Sequence, residues 1–167
     1  MTQRDAILKV VAYGVALFAI TMINYYIIGP LPISLPLMLP VAAVAMGTLE
    51  GAKFGAGYGL AAGLVMSAAG HITPLCVPAL AAVGWASGLM TQHVLRRDMV
   101  GHFLCTLLML LVWELCQVGS RLVTGVAELI PLLKVAGPEL LWSVVFSFPV
   151  YWIGRFCCKY YGRIYHE

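Results

Sequence analysis

EGAKFGAGYGLAAG, residues 50–63, carries glycine at positions 51, 55, 57, 59 and 63. Gly51, Gly55, Gly59 and Gly63 fall on every fourth residue. In a chain folded in water such a cluster suggests a phosphate-binding loop, and Gly57, Gly59 and Ala62 do fit a G-x-G-x-x-A pattern. That pattern serves a dinucleotide only when a buried strand precedes it and an acid for the ribose follows about 20 residues on. Here the charged residues Glu50 and Lys53 come first, and the next acid is Asp98, far too late. No Gly-Lys-Ser or Gly-Lys-Thr follows, so a P-loop fails as well. What the glycines do depends on the solvent around the chain.

Composition decides the solvent. Of the 167 residues, 62% are hydrophobic and only 10% are charged, and the mean hydropathy is +0.93. Average soluble domains are about 25% charged, so this chain has too little charge to cover a surface facing water. Its long apolar runs read as membrane spans, each of which needs ~20 predominantly apolar residues. The expected architecture is all-α and polytopic, one integral membrane domain over residues 1–167 with about six transmembrane helices. The expected spans are 6–28, 33–49, 54–70, 75–93, 99–123 and 139–158, the second and third short enough to need tilt or flanking residues. The first run lacks a small-residue cleavage site and is expected to be an uncleaved span.

Positive charge tests the count. With the N-terminus inside, the cytoplasmic segments hold Arg4, Lys9, Lys53, Arg96, Arg97, Arg155, Lys159 and Arg163, and the outside holds Arg121 and Lys134. Eight against two follows the positive-inside bias, and places both termini in the cytoplasm. A five-helix arrangement would scatter it. The net charge of +3 thus reports orientation in a lipid bilayer, and no nucleic-acid partner is expected. The links are short. Gly29-Pro30-Leu31-Pro32 and His71-Ile72-Thr73-Pro74 read as outer turns, and the longest outer link, 124–137, as an amphipathic or re-entrant piece.

In lipid, helices associate through close backbone contact, because the surrounding tails are as apolar as the side chains. Glycine at every fourth position draws a stripe along one helix face, and Ser67 continues it. Gly84 and Gly88 give the fourth helix the same short motif, and Ala12 with Ala16 gives it to the first. Such stripes serve helix packing within the chain or docking of another membrane protein.

Candidate chemistry is sparse. Glu114 lies mid-helix in LLVWELCQVGSRLV and shares a face with Gln117 and Arg121. A carboxylate at that depth faces a protein interior or a polar cavity. It reads either as a proton relay or as a hydrogen-bonded structural group, with Arg121 snorkelling outward. The second reading is favoured, because no second intramembrane acid completes a path. His71, His93, His102 and His166 lack metal-ligand spacing and read as solvated or interfacial. Cys76, Cys105, Cys116, Cys157 and Cys158 read as small core residues rather than disulfides. Gly84-Trp85-Ala86-Ser87-Gly88 departs from the intramembrane serine protease motif, which needs one residue fewer before the serine and a later histidine. No enzyme, cofactor or metal site is expected.

Three stretches carry a resemblance: LPLMLPVAAVAMGTLEGAKFGAGYGLAAGLV, then ALAAVGWASGLM, then LRRDMVGHFLCTLLMLLVWEL. Together with the end, GPELLWSVVFSFPVYWI, they resemble the rod shape-determining MreD family. Its more specific pieces are Glu50-Gly51, the glycine stripe, Trp113-Glu114, the Pro138-Glu139 helix start, and Pro149 with Tyr151. One departure is Ser67, where the family often carries aspartate. The resemblance implies a multi-pass protein of the bacterial inner membrane and a non-catalytic scaffold of the elongation complex. It would bind membrane-anchored MreC and connect the actin-like MreB to the glycosyltransferase and transpeptidase that build lateral peptidoglycan. The alternative is the S component of an energy-coupling-factor vitamin transporter, also of six helices, for which His71 and Thr73 offer a poor set of polar groups.

Overall fold

The computed structural model describes residues 3–28, 37–68, 76–95, 98–123 and 129–161. Among these the chain is all helix, with no strand. Helix α1 spans Gln3–Met22 and continues as a π-helical turn, Ile23–Ile28; α2 is Met38–Glu50, α3 Ala52–Ala68, α4 Cys76–His93, α5 Met99–Val123 and α6 Leu129–Tyr161. Among the described residues three stretches are long and apolar enough to cross a membrane: Ile7–Ile28, Met99–Gly119 and Leu132–Lys159.

Helix α2 is the axis of the bundle. Its sequence, MLPVAAVAMGTLE, is apolar on every side, and such a helix is stable only where other helices surround it. All its residues except Leu49 are buried, and α1, α3, α4, α5 and α6 all pack against it. The chain then reverses at a single residue, since α2 ends at Glu50 and α3 begins at Ala52. Gly51 makes that turn at φ +103°, a left-handed conformation that a side chain strains. Its amide donates to the Gly47 carbonyl at 2.9 Å, ending α2 cleanly.

The glycine stripe turns out to have two uses. Gly51 is the turn, and Gly55, Gly59 and Gly63 are the seam against α4. A Cβ on Gly59 would lie 2.8 Å from the Leu80 carbonyl carbon, and one on Gly63 would lie 2.7 Å from Val77 Cα. Gly55 and Gly84 meet reciprocally, each taking the space where the other's side chain would sit, and Gly88 sits against Ala52. These pairings run in opposite directions along the chain, so α3 and α4 are antiparallel. Gly47 of α2 joins the same junction: its Cα is 2.6 Å from where a Cβ on Gly55 would be. The face offered in sequence as a possible docking surface is thus occupied by α4. Gly57 points the other way, with nothing near it.

Outer helices α5 and α6 turn most of their large apolar side chains outward. On α5, Gly101, His102, Cys105, Thr106, Leu110 and Trp113 are buried, at helical spacing, while Phe103, Leu104, Leu108, Leu111, Val112 and Leu115 are exposed. On α6, Ala136, Ser143, Ser147, Val150 and Gly154 face inward and Trp142, Phe148, Trp152 and Phe156 outward. Most large apolar groups form the outer surface, as a lipid solvent allows, while small and polar residues share the interior with Leu110, Trp113, Leu132 and Tyr151.

Two expectations need correction. The last helix does not start at Pro138-Glu139. It begins at Leu129 and passes through both Pro138 and Pro149 without a break, so the stretch read as a re-entrant link is, from Leu129 on, its first turns. A proline interrupts only one backbone bond, and neighbouring groups can make up the loss. The connection between the second and third helices is one residue, Gly51, where the expected spans 33–49 and 54–70 leave residues 50–53 between them. The expected turns at 29–32 and 71–74, with His71 and Thr73, lie outside the described residues, as do Arg96, Arg97, Glu128, Arg163 and His166.

Candidate functional site

Glu50 closes α2 at a point where three helices meet, and its carboxylate is buried. Lys9 of α1 forms an ion pair with its Oε1, both side chains shielded from solvent. The Tyr13 hydroxyl, one turn further along α1, donates to the same oxygen at 2.7 Å. From α6, the Cys158 thiol donates to it at 2.9 Å, and Cys158 Sγ lies 3.3 Å from the Tyr13 hydroxyl. Aromatic rings wall the node: Tyr13 lies 5.2 Å from Phe54 and 6.5 Å, edge-on, from Tyr58. The Lys9 ammonium sits 5.8 Å over the Tyr13 ring centroid, within range of a cation–π attraction.

The node exists because of local spacing. Lys9, Tyr13, Leu17, Ile20, Asn24 and Ile28 are the buried positions of α1 and its π-helical extension, together with Thr21. They recur every three or four residues, so they form one stripe. Its first two members are polar, and Glu50 is where they land. A buried charge is tolerable when it is paired and hydrogen-bonded, and Glu50 has a cation and two further donors on Oε1.

Beside it, the preceding turn of α2 anchors a second polar group. Thr48 Oγ1 lies 3.0 Å from His102 Nδ1 and 2.9 Å from the Ala45 carbonyl. On the other edge of the ring, Thr106 Oγ1 approaches Nε2 at 3.4 Å and donates to the His102 carbonyl at 2.9 Å. Tyr151 stacks on the imidazole with centroids 4.5 Å apart and planes 22° from parallel. His102 is therefore buried, not interfacial as its position beside a polar loop suggested. The helix starts at Met99, so His102 is already one turn inside it, on the face that Cys105 and Thr106 share. At the far end of α2, the Leu37 amide donates to Ser143 Oγ of α6 at 2.7 Å, a cap supplied from another helix.

The carboxylate singled out on α5 lies elsewhere. Glu114 and Gln117 are half-buried and Arg121 is exposed. Glu114 lies within electrostatic reach of Arg121 and of Glu139 on α6. Glu139 is thus a second acid whose charge reaches Glu114. Glu139 was placed at a helix end, and the extra turns of α6 carry it into the helix.

Of the other positions with family resemblance, Tyr151 packs on His102 and Pro149 is exposed on α6. Ser87 is fully buried and donates to the Gly84 carbonyl at 2.8 Å, a bond within its own helix. All five cysteines are free thiols; Cys116 is exposed and Cys157 and Cys158 are half-buried. No cluster of metal-ligating side chains occurs among the described residues.

Sequence reasoning found Glu50 only through its neighbour Gly51 and missed Lys9 and Tyr13. A signal was present. A lysine four residues before an inward tyrosine, inside an apolar run, is an intramembrane charge that calls for a partner. Its closeness to the N-terminus gives it the look of a cytoplasmic topogenic charge instead.

The fold and this interior define a class, a helical membrane protein whose buried polar groups join helices to one another. No family model, curated protein or solved structure matches the chain.

Proposed function

We propose that this chain is a six-span, non-catalytic scaffold of the bacterial cell-elongation complex, of the MreD type, seated in the inner membrane with both termini cytoplasmic. In this reading it binds MreC and supports rod shape and lateral peptidoglycan synthesis. The observation that supports it best is where the polar side chains go. Lys9, Tyr13, Glu50 and Cys158 engage one another, as do Thr48, His102 and Thr106, so these groups serve cohesion and the outward faces are left for partners. The resemblance in Glu50-Gly51, the glycine seam, Trp113-Glu114 and Tyr151 points the same way.

Six spans fit the helix lengths if the shorter helices count. At 17 and 18 residues, α3 and α4 extend about 26 Å at ~1.5 Å per residue, near the ~30 Å of a hydrocarbon core, while α2, at 13 residues, extends about 20 Å and counts as a span only within the helices that surround it. With Lys9 removed from the tally as a buried residue, the positive charges still divide seven to two, which favours the same orientation.

The transporter S component is the second reading, favoured by one feature of α1. Ala12 and Ala16 are only half-buried and Gly14 faces open space, which leaves small residues available to a coupling helix. Purification in mild detergent followed by mass spectrometry separates the two. Co-purification of MreC, the elongation glycosyltransferase and transpeptidase, or MreB is expected. An ATPase pair with a transmembrane coupling subunit would overturn the scaffold reading.

A further inference from the structure

We infer that α1 is a latch helix, docked on the bundle by the polar node at Glu50 and able to leave it as a unit. Lys9 and Tyr13 tie it to Glu50 of α2 and Cys158 of α6. In the rest of its inward stripe Leu17, Ile20 and Ile28 are apolar, Thr21 donates to the Leu17 carbonyl within α1 itself, and the buried Asn24 Oδ1 meets no hydrogen-bond partner. In lipid that apolar half gives little net drive to associate, because the tails replace its contacts when the helix leaves. What distinguishes docked from undocked is therefore the node. The stretch Ile7–Ile28 also has, by itself, the length and apolarity of a membrane span, so α1 can cross a bilayer without the bundle around it. In that state Lys9, near the cytoplasmic end, reaches the headgroups by snorkelling, which removes most of the penalty of unpairing it. Leaving would uncover Glu50 together with Phe54 and Tyr58, whose hydroxyl is buried and finds no partner in the docked state. Two positions of one helix, separated by a single polar cluster, form a conformational device that does not depend on which partner the protein serves.

Spin labels at Val10 and Arg155, both exposed, report the α1–α6 distance by double electron–electron resonance in lipid nanodiscs. Cys158 is replaced by serine to keep a donor, and the other cysteines by alanine. This background and its Lys9→Arg variant should give one narrow distance population. The double variant Lys9→Met with Glu50→Met removes the charges without orphaning either. If apolar packing held α1, that variant would stay narrow, and the latch would be overturned. We expect most of its signal in a broad population at longer distance. Should the double variant fail to accumulate, Tyr13→Phe decides: it keeps the ring and removes one donor, and should show a second, longer population. A Tyr13→Phe trace identical to the parent would then overturn the latch.

Discussion

Glu50 takes an ammonium, a phenol and a thiol on one oxygen, and these donors differ in what their loss leaves behind. Lys9→Met strands a buried carboxylate without its cation, a change that costs about 3–5 kcal/mol where burial is complete. Tyr13→Phe removes a single hydrogen bond and keeps the ring against Phe54, so its cost should be about 1–3 kcal/mol. Unfolding titrations in mixed micelles should rank Lys9→Met as clearly less stable than Tyr13→Phe; the reverse order would mean that the ion pair is not the main contact. Glu114 is a different kind of carboxylate, half-buried beside Glu139 and Arg121. A scaffold needs no proton transfer at this position, and glutamine keeps a polar acceptor at nearly the same size. Glu114→Gln should therefore retain shape function in complementation at matched membrane levels, with Glu114→Leu doing worse. Loss of function in a well-expressed glutamine variant would point to a proton that moves. The two carboxylates also differ in legibility. Glu114 stands out because its own helix is apolar around it, whereas Glu50 looks like a loop residue until a one-residue turn places it inside the bundle.

Among the elements, the seam between α3 and α4 makes the sharpest claim. Gly55 and Gly57 are two residues apart in one helix, yet a Cβ on Gly55 would strike the backbone of Gly84 and one on Gly57 would meet nothing. Gly55→Ala should destabilise by about 1–3 kcal/mol, because the helices must separate to admit the methyl group. Gly57→Ala should be neutral or stabilising by up to about 1 kcal/mol, the difference in helix propensity. Thermal stability in detergent checks the pair, and equal effects would contradict the seam. The four-residue period of glycine is readable as close packing, and Gly84 with Gly88 as the same motif on α4, but nothing in the sequence pairs the two. That Gly51 leaves the stripe to make the turn was not readable, since its spacing is the same as that of its neighbours. Nor was the true start of α6, because Pro138 followed by an acid is also how many helices begin.

At the scale of the whole molecule, fold class and the membrane environment follow from composition, because 10% charge cannot clothe a bundle in water. The interior does not follow in the same way. Which inward residue meets which depends on contacts far apart in sequence, such as Lys9 with Glu50 or Thr48 with His102, and no local period encodes them. Orientation lies between these cases, being set by charges at helix ends. Reporter fusions after Arg97 and at the C-terminus should behave as cytoplasmic, and one after Lys134 as external; an external C-terminus would remove the six-span arrangement. The scaffold reading is tested most directly by binding. The purified protein in nanodiscs is titrated with MreC from the same organism, and in parallel with vitamins at transporter-like concentrations. Saturable binding of MreC, kept by Glu114→Gln, and no retained vitamin is the expected result. Tight retention of a vitamin with no binding of MreC would contradict the account.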